Sequence, residues 1–151
     1  MNDMPIPLGY PVGMVGARAP LDPASLMAWV AGLPTRRRAC LECGAGGGEV
    51  AGFLSRRFGR VAALNLHPRH LGPVRPPVYA LCGDAAALPI ATGSLDLVIS
   101  VQSLHHFAVD KHLSEARRVL RKGGIFAALC WGRMRLPENI APMYDTNGKY
   151  Y

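Results

Sequence analysis

Apolar residues gather along this chain in five short runs, separated by glycine, proline and polar residues. Runs of this length between chain-breaking residues are typical of β-strands rather than helices. The fourth and fifth runs are almost wholly apolar, which indicates strands covered on both faces. The predicted strands are Ala39–Cys43, Val61–Leu66, Val78–Cys82, Leu95–Val101 and Ile125–Trp131.

Three other stretches repeat apolar residues at helical spacing and predict helices over Asp22–Ala31, Glu49–Phe58 and Asp110–Leu120. In the last of these, Leu113 is expected to face inward, and a tight turn is expected at residues 122–124. Strands and helices alternate along the chain. This alternation predicts an α/β fold in which a parallel sheet is connected by right-handed crossovers.

Length and composition predict one globular domain over residues 1–151, because half of the residues are hydrophobic and 18% are charged. Residues 1–20 are rich in glycine and proline and read as an irregular arm. Residues 132–151 are polar and aromatic and read as a tail after the 39–131 core. No apolar run has the length of a membrane span, and no secretion signal is recognisable, so we expect a cytoplasmic protein that binds no membrane.

The formal net charge is +7, and its cations are spread along the chain, with groups at residues 36–38, 56–60 and 117–122. Two of these groups end predicted helices, where cations stabilise the helix dipole without any partner. We therefore expect a solvated basic surface rather than a nucleic-acid partner, although an acidic partner or nucleic acid remains the alternative.

The cysteines predict neither a metal site nor a disulfide. Cys40 and Cys43 form a C-x-x-C pair on a predicted strand, where odd spacing sends the two side chains to opposite faces. Cys82 and Cys130 read as small apolar strand residues, and we expect all four cysteines to be reduced and buried. The histidines at positions 67, 70 and 112 are scattered and read as surface residues, so we expect no metal.

The first strand runs into a glycine-rich turn, with Gly44, Gly46 and Gly48 spaced as G-x-G-x-G and Glu42 two positions before them. Glycines let a ligand approach bare backbone, and sheets of this kind bind ligands at the carboxyl ends of their strands. The turn therefore predicts a nucleotide-type pocket. Gly46 with Gly48 and Ala51 also fits the G-x-G-x-x-G/A form, which leaves a dinucleotide as an alternative ligand.

Three blocks in order resemble class I S-adenosylmethionine-dependent methyltransferases, in particular small-molecule enzymes of the menaquinone-biosynthesis and trans-aconitate type. They are residues 41–48 with the glycines, residues 83–89 beginning Gly-Asp-Ala, and residues 94–107 with the later segment 118–124. The resemblance implies a Rossmann-like, doubly wound sheet with parallel strands in the order 3-2-1-4-5. It also implies that the 39–131 core binds S-adenosylmethionine and that a small molecule is methylated, with oxygen as the expected acceptor.

The same resemblance implies the role of each site residue. Glu42 would order the turn or bind the amino group, and Asp84 would accept a hydrogen bond from the adenine amine. The Ala85 N–H would meet a ring nitrogen, Gln102 would lie beside the sulfonium, and His105 would act as a base or orient the acceptor. The implied cofactor-binding set is Glu42, Gly44, Ala45, Gly46, Gly48, Asn65, Leu66, Asp84, Ala85 and Gln102.

The chain departs from the family pattern in two places. Asn65 stands where the family has a carboxylate for the ribose hydroxyls, so one charge-assisted bond is lost. The usual antiparallel strand pair after strand five is not recognisable, so we expect the tail or a second subunit to cover that edge. These departures leave an alternative function open: a methyltransferase-like domain that binds, regulates or catalyses another reaction, such as a cyclisation.

Overall fold

The computed structural model describes residues 23–130, so the predictions for the arm at 1–20 and the tail at 132–151 fall outside it. Its five strands form a single sheet, in which every neighbouring pair is parallel. The strands are β1 (Ala39–Cys43), β2 (Arg60–Asn65), β3 (Val78–Cys82), β4 (Leu95–Val101) and β5 (Leu120–Leu129). Their order across the sheet is β3-β2-β1-β4-β5, which confirms the predicted fold class.

Three helices cover the two faces of this sheet: α1 (Pro23–Gly32), α2 (Glu49–Leu54) and α3 (Val109–Val119). Helices α1 and α2 pack on one face with Cys40, Val61 and Leu97, and α3 packs on the other with Leu41 and Val98. Cys40 and Cys43 therefore lie on opposite faces, as their spacing predicts. Among residues 23–130, no helix has the length and hydrophobicity that a membrane crossing requires.

The prediction that Cys82 and Cys130 are packed strand residues is wrong, because both thiols are exposed. Cys82 ends β3, which lies at one edge of the sheet, and Cys130 directly follows β5 at the other. An edge strand has a neighbour on one side only, so its small side chains can remain accessible to solvent even when their pattern is apolar.

Two element ends differ from the sequence prediction. Helix α2 ends at Leu54 rather than at Phe58, because the chain tightens there through a short-range bond from Arg57 N to the Leu54 oxygen (2.8 Å). Strand β5 begins at Leu120 rather than at Ile125. Between Leu120 and Ile125 it advances five residues while β4 advances two, from Leu95 to Leu97, and Gly123 adopts a φ of +80° there. The tight turn expected at residues 122–124 is therefore present as an irregularity inside β5.

Helix α3 presents its residues differently from the predicted face. His112 is fully buried, against the expectation of a surface residue, whereas Leu113 is 37% exposed. The ring of His112 lies between Phe107 and Phe126, and its two nitrogens approach polar atoms of the loop at Ala85 and of β4. The polar ring of His112 can be buried in this turn because both of its nitrogens have hydrogen-bond partners.

Candidate functional site

A cavity of about 620 Å³ opens at the carboxyl ends of β1, β2, β3 and β4. Its volume lies within the range of small-molecule sites, about 300–1,000 Å³. Bare backbone, apolar side chains and a few polar groups share the lining. The lining residues are Gly44, Gly46, Leu64, Asn65, Leu66, His67, His70, Gly83, Asp84, Ala85, Gln102, Ser103, His106, Phe107 and Ala108.

The glycine turn forms the floor of this cavity. The N–H groups of Gly44 and Ala45 both donate to the carbonyl of Leu64 on β2, at 2.9 and 3.1 Å, which fixes the turn to the neighbouring strand. Gly46 has a φ of +52°, and a Cβ added there would meet nothing within 4 Å. The turn therefore leaves open space directly over the backbone of Gly46.

Gly44 has a different reason to be glycine. Its φ is +74°, and a Cβ there would lie 2.5 Å from the Cβ of Ser103. Ser103 also donates from its hydroxyl to the carbonyl of Cys43 at 2.9 Å, which joins the ends of β1 and β4. Gly44 therefore permits the close packing that shapes one wall, and Gly46 provides the open space.

Gln102 is the single non-glycine residue with positive φ (53°) within residues 23–130. It follows β4, and its N–H donates to the Leu129 carbonyl at 2.8 Å. Its side-chain oxygen accepts a bond from the exposed thiol of Cys130 at 3.3 Å. Backbone in this region is costly for a residue with a Cβ and is often retained at functional sites, and Gln102 also lines the cavity.

Asp84 and Ala85 form the wall that follows β3. The Asp84 carboxylate is exposed to the cavity, and its Oδ1 accepts a bond from the N–H of Ala86 at 2.8 Å. The carbonyl of Ala85 is held from behind by Nδ1 of His112 at 3.0 Å. A carbonyl oxygen only accepts, so Nδ1 of His112 carries the proton. This wall thus presents a carboxylate in a braced loop.

Asn65 and Leu66 lie at the end of β2, beside the wall that follows β3, since the N–H of Gly83 donates to the Asn65 carbonyl at 3.0 Å. The Nδ2 group of Asn65 donates to the carbonyl of His70 at 3.1 Å, and the residue lines the cavity. Its side-chain oxygen remains available as an acceptor. Aspartate at this position would place a carboxylate oxygen against that carbonyl. The asparagine therefore matches the conformation of the loop after β2.

Glu42 lies beneath the turn rather than in the cavity lining, with only 2% of its surface exposed. Its Oε2 atom has no hydrogen-bond partner in the described residues. Burial raises the pKa of Glu42 to about 8, opposed by the N–H of Ala51 and reinforced by the charge of Glu49. The carboxyl group is therefore largely protonated at neutral pH.

His105 and His106 follow β4 in a short 3-10 turn, with their ring centroids 3.9 Å apart. Both side chains are exposed, but His106 lines the cavity and His105 does not. A turn of this kind points successive side chains in different directions. The sequence could not decide between two adjacent histidines for that reason.

The structure brings together seven of the predicted residues in the cavity lining: Gly44, Gly46, Asn65, Leu66, Asp84, Ala85 and Gln102. Glu42, Ala45, Gly48 and His105 lie outside the lining. Gly48 packs instead against the loop after β2, where its Cβ would meet Val74 at 2.6 Å. The sequence reasoning missed Ser103 and Phe107 as wall residues. Their position just after a predicted strand end was the available signal.

Within residues 23–130, no group of three or more histidine, cysteine or acidic residues is placed to hold a metal ion. Burial raises the pKa of both thiols of the C-x-x-C pair, that of Cys43 to about 12. Both cysteines are therefore neutral thiols that pack in the core.

Comparison with known proteins connects this geometry to a family. The family described as "Methyltransferase domain" matches residues 41–128, which span β1 to β5. An uncharacterized methyltransferase of Mycobacterium bovis is 33% identical over 126 residues, covering 82% of this chain and 51% of that protein. The malonyl-[acyl-carrier protein] O-methyltransferase of Dechloromonas aromatica is 36% identical over 94 residues, which are 61% of this chain and 36% of the enzyme.

Among solved structures, a proposed type II methyltransferase from Anaeromyxobacter dehalogenans superimposes with a TM-score of 0.69 at 29% identity. The match covers 84% of this chain and 55% of that one. This chain thus spans about half the length of the mycobacterial relative and of the superimposed structure.

Proposed function

This chain belongs to the class I S-adenosylmethionine-dependent methyltransferase family, and on that premise we propose that it transfers a methyl group from S-adenosylmethionine to an oxygen of a small molecule. The observation that carries the proposal is the open cavity above the bare backbone of Gly46, with the carboxylate of Asp84 on its wall. The family match also favours this ligand over the dinucleotide that the glycine pattern alone allows.

The lining residues fit the parts of the cofactor. Asp84 accepts a hydrogen bond from the adenine amine, and the side-chain oxygen of Asn65 accepts one from a ribose hydroxyl. Leu64 and Phe107 give the cavity apolar walls for the purine, and Gly46 leaves room for the methionine part. Asn65 supplies no charge-assisted bond, so affinity for the ribose is lower than a carboxylate would give.

Bound S-adenosylmethionine supplies a methyl group on a positively charged sulfur. The task of the chain is therefore to align the acceptor oxygen and to limit the access of water. His106 lines the cavity and is the better placed of the two histidines to take the proton of a hydroxyl acceptor. This moves the catalytic role from His105, where the sequence placed it, to its neighbour.

The test is methyl transfer from isotope-labelled S-adenosylmethionine to a panel of hydroxylated and carboxylic acids, with S-adenosylhomocysteine as the common readout. General-base catalysis contributes about 10²- to 10⁴-fold, so His106→Asn should lower kcat by about 100-fold or more. His105→Asn is the matched control and should remain within a few-fold of the wild type. Loss of activity in His105→Asn alone would return the role to His105, and no product with any acceptor would count against methyl transfer.

A second function, ligand binding without methyl transfer, is favoured by one observation. Asn65 uses its amide to hold the loop after β2 through the His70 carbonyl, so this position has a structural role of its own. The residue expected to contact the ribose thus also stabilises the loop. Such an arrangement is compatible with a binding or regulatory domain, or with an enzyme that uses the cavity for another reaction such as a cyclisation. Tight binding of S-adenosylhomocysteine without turnover of any acceptor would favour this alternative.

A further inference from the structure

A row of exposed cations lies at the amino ends of the strands, at the end of the sheet opposite the cavity. We call it the basic row. Each of its side chains is exposed, and none makes a hydrogen bond or ion pair with another described residue. Its members are Arg36, Arg37, Arg38, Arg56, Arg60, Arg117 and Lys122.

Topology gathers these residues from three separate parts of the sequence. The backbone at residues 37–38 accepts bonds from Gly59 and Arg60 at 3.0 and 2.8 Å, which joins the first group to the start of β2. The N–H of Ser94, just before β4, donates to Val119 at 2.8 Å, which joins the end of α3 to the same edge. Neighbouring strands lie about 4.8 Å apart, so the starts of β2, β1, β4 and β5 span roughly 14 Å.

The carboxylates at this edge are already used inside the protein. Asp96 is buried, and its Oδ2 accepts from the N–H of Arg38 at 2.7 Å, while its Oδ1 lies 2.9 Å from Nε of Arg121. The orientation of that Nε gives an ion pair without a well-directed hydrogen bond. Glu115 pairs with Arg118 at 2.7 Å. Neither carboxylate neutralises the basic row.

The charge is therefore not spread over the surface as the sequence suggests. Ten of the thirteen Lys and Arg residues within 23–130 lie at this edge, with two of the six carboxylates, so the edge carries a formal charge of +8. The other described residues carry −1. Like charges this close lie within or near a Debye length, about 8 Å at physiological salt, and repel one another.

The helix dipole explains only part of this arrangement. Cations at the ends of helices are stabilising, which accounts for Arg56 near the end of α2 and for Arg117 near the end of α3. Arg36, Arg37 and Arg38 precede a strand, and Arg60 and Lys122 lie within strands, so no helix end explains them. Five of the seven side chains thus have no structural role in the described residues.

We propose that the basic row is a docking surface for the phosphate backbone of a nucleic acid. Six of its seven members are arginines, whose planar guanidinium binds phosphate through two parallel hydrogen bonds. Arg36 and Lys122 also line a hollow of about 390 Å³, which gives the row a concave centre. The other lining residues are Pro34, Thr35, Gly123 and the ion pair of Asp96 with Arg121. Several cations gathered from separate segments at one end of the sheet match a partner whose negative charges repeat along a chain.

Two other polyanions fit this edge less well. An anionic membrane would also need exposed apolar side chains, but Leu66, Val109 and Leu113 lie toward the cavity side of the sheet, and only Tyr79 lies on a strand near this edge. An acidic protein surface presents carboxylates that are irregularly spaced and mixed with cations. The arginine content and the formal charge of +8 at this end of the sheet favour a phosphate backbone, whose negative charges repeat densely along the chain.

The docked nucleic acid is not the methyl acceptor at this contact. The basic row and the cavity lie at opposite ends of β1, whose five residues span about 16 Å. The proposal concerns where the protein is held rather than what it methylates, so it does not depend on the proposed function.

The test is fluorescence anisotropy of a labelled 20-nucleotide single strand, titrated with the full chain at several salt concentrations. Counterion release predicts that log Kd changes with log salt with a slope of roughly 3 to 5 for this number of contacts. Arg36→Gln/Lys122→Gln should weaken binding by about tenfold or more at low salt and reduce the slope by about 1.4. Arg69→Gln/Lys111→Gln removes the same residue types elsewhere and should bind within about twofold of the wild type.

Both double variants should have the thermal unfolding midpoint of the wild type, so that a difference in oligonucleotide affinity does not come from a folding defect. Equal weakening by the two variants would overturn the proposal, because any loss of positive charge would then suffice. Competition by polyglutamate as strong as that by the oligonucleotide at equal charge would assign the row to an acidic protein. Binding to phosphatidylglycerol vesicles without binding to the oligonucleotide would assign it to a membrane, and either result overturns the nucleic-acid proposal.

Discussion

At the scale of single residues, the cavity depends as much on missing side chains as on those present. Gly46 leaves its backbone open, while Asp84 places a carboxylate on the facing wall. The sequence could predict both, because a glycine after the first strand and an Asp after the third strand occupy positions with a known geometric meaning. It could not choose between His105 and His106, since the direction of a side chain in a short turn depends on packing.

Asp84→Asn should weaken binding of S-adenosylhomocysteine by about tenfold or more. The substitution keeps Oδ1 as acceptor for the Ala86 N–H, so the loop is preserved, but it replaces one acceptor oxygen by a donor that faces the adenine amine. Calorimetric titration measures the affinity. Asp110→Asn, at an exposed site in the first turn of α3, is the matched control. An Asp84→Asn variant that binds as tightly as the control would remove Asp84 from the site.

Glu42 predicts a pH dependence of stability. Its pKa is raised from 4.5 to about 8 in the folded protein, so between these values the folded state holds a proton that the unfolded state releases. Stability therefore falls as pH rises through this window. Glu42→Gln stays neutral and should flatten the decline in urea unfolding experiments. Parallel curves for the two proteins would contradict this, and the lowered pKa of Glu115, about 2, affects stability only at lower pH.

At the scale of elements, strands could be predicted better than helices. The bounds of β1, β3 and β4 agree with their apolar runs. In β1 and β4 the reason is burial on both faces, which leaves a continuous apolar signal. Helix α3 shows why a helical pattern is less informative. Its buried His112 looks polar in the sequence, and the partners that make its burial possible lie on β4 and in the loop at Ala85. Those partners are distant along the chain.

His112→Leu should lower the free energy of unfolding by about 1–3 kcal/mol, because it leaves the buried Ala85 carbonyl without its donor. It should also weaken binding of S-adenosylhomocysteine, since Ala85 lines the cavity. Leu113→Ala, one position along the same helix, is the control and should change stability by about 0.5 kcal/mol or less. Denaturant unfolding and calorimetry measure the two effects. Equal stability of the two variants would show that the Nδ1 bond contributes nothing.

At the scale of the whole molecule, parallel topology gives the two ends of the sheet different chemistry. The carboxyl ends of the strands collect the cavity, and the amino ends collect the cations of the basic row. The sequence predicts the first through recognisable blocks near the strand ends. It does not predict the second, because Arg36, Arg60 and Lys122 become neighbours only when β1, β2 and β5 enter one sheet.

The central claim is that bare backbone at Gly46 makes room for an adenosyl ligand, and one comparison tests it most directly. Gly46→Ala and Gly93→Ala each place a Cβ in open space at positive φ, so both should cost about 1–2 kcal/mol of stability. Of these two glycines, Gly46 lines the cavity and Gly93 does not. Calorimetric titration with S-adenosylhomocysteine should show wild-type affinity for Gly93→Ala and a loss of tenfold or more for Gly46→Ala. Equal affinities, or no heat with the wild type at millimolar ligand, would contradict the account.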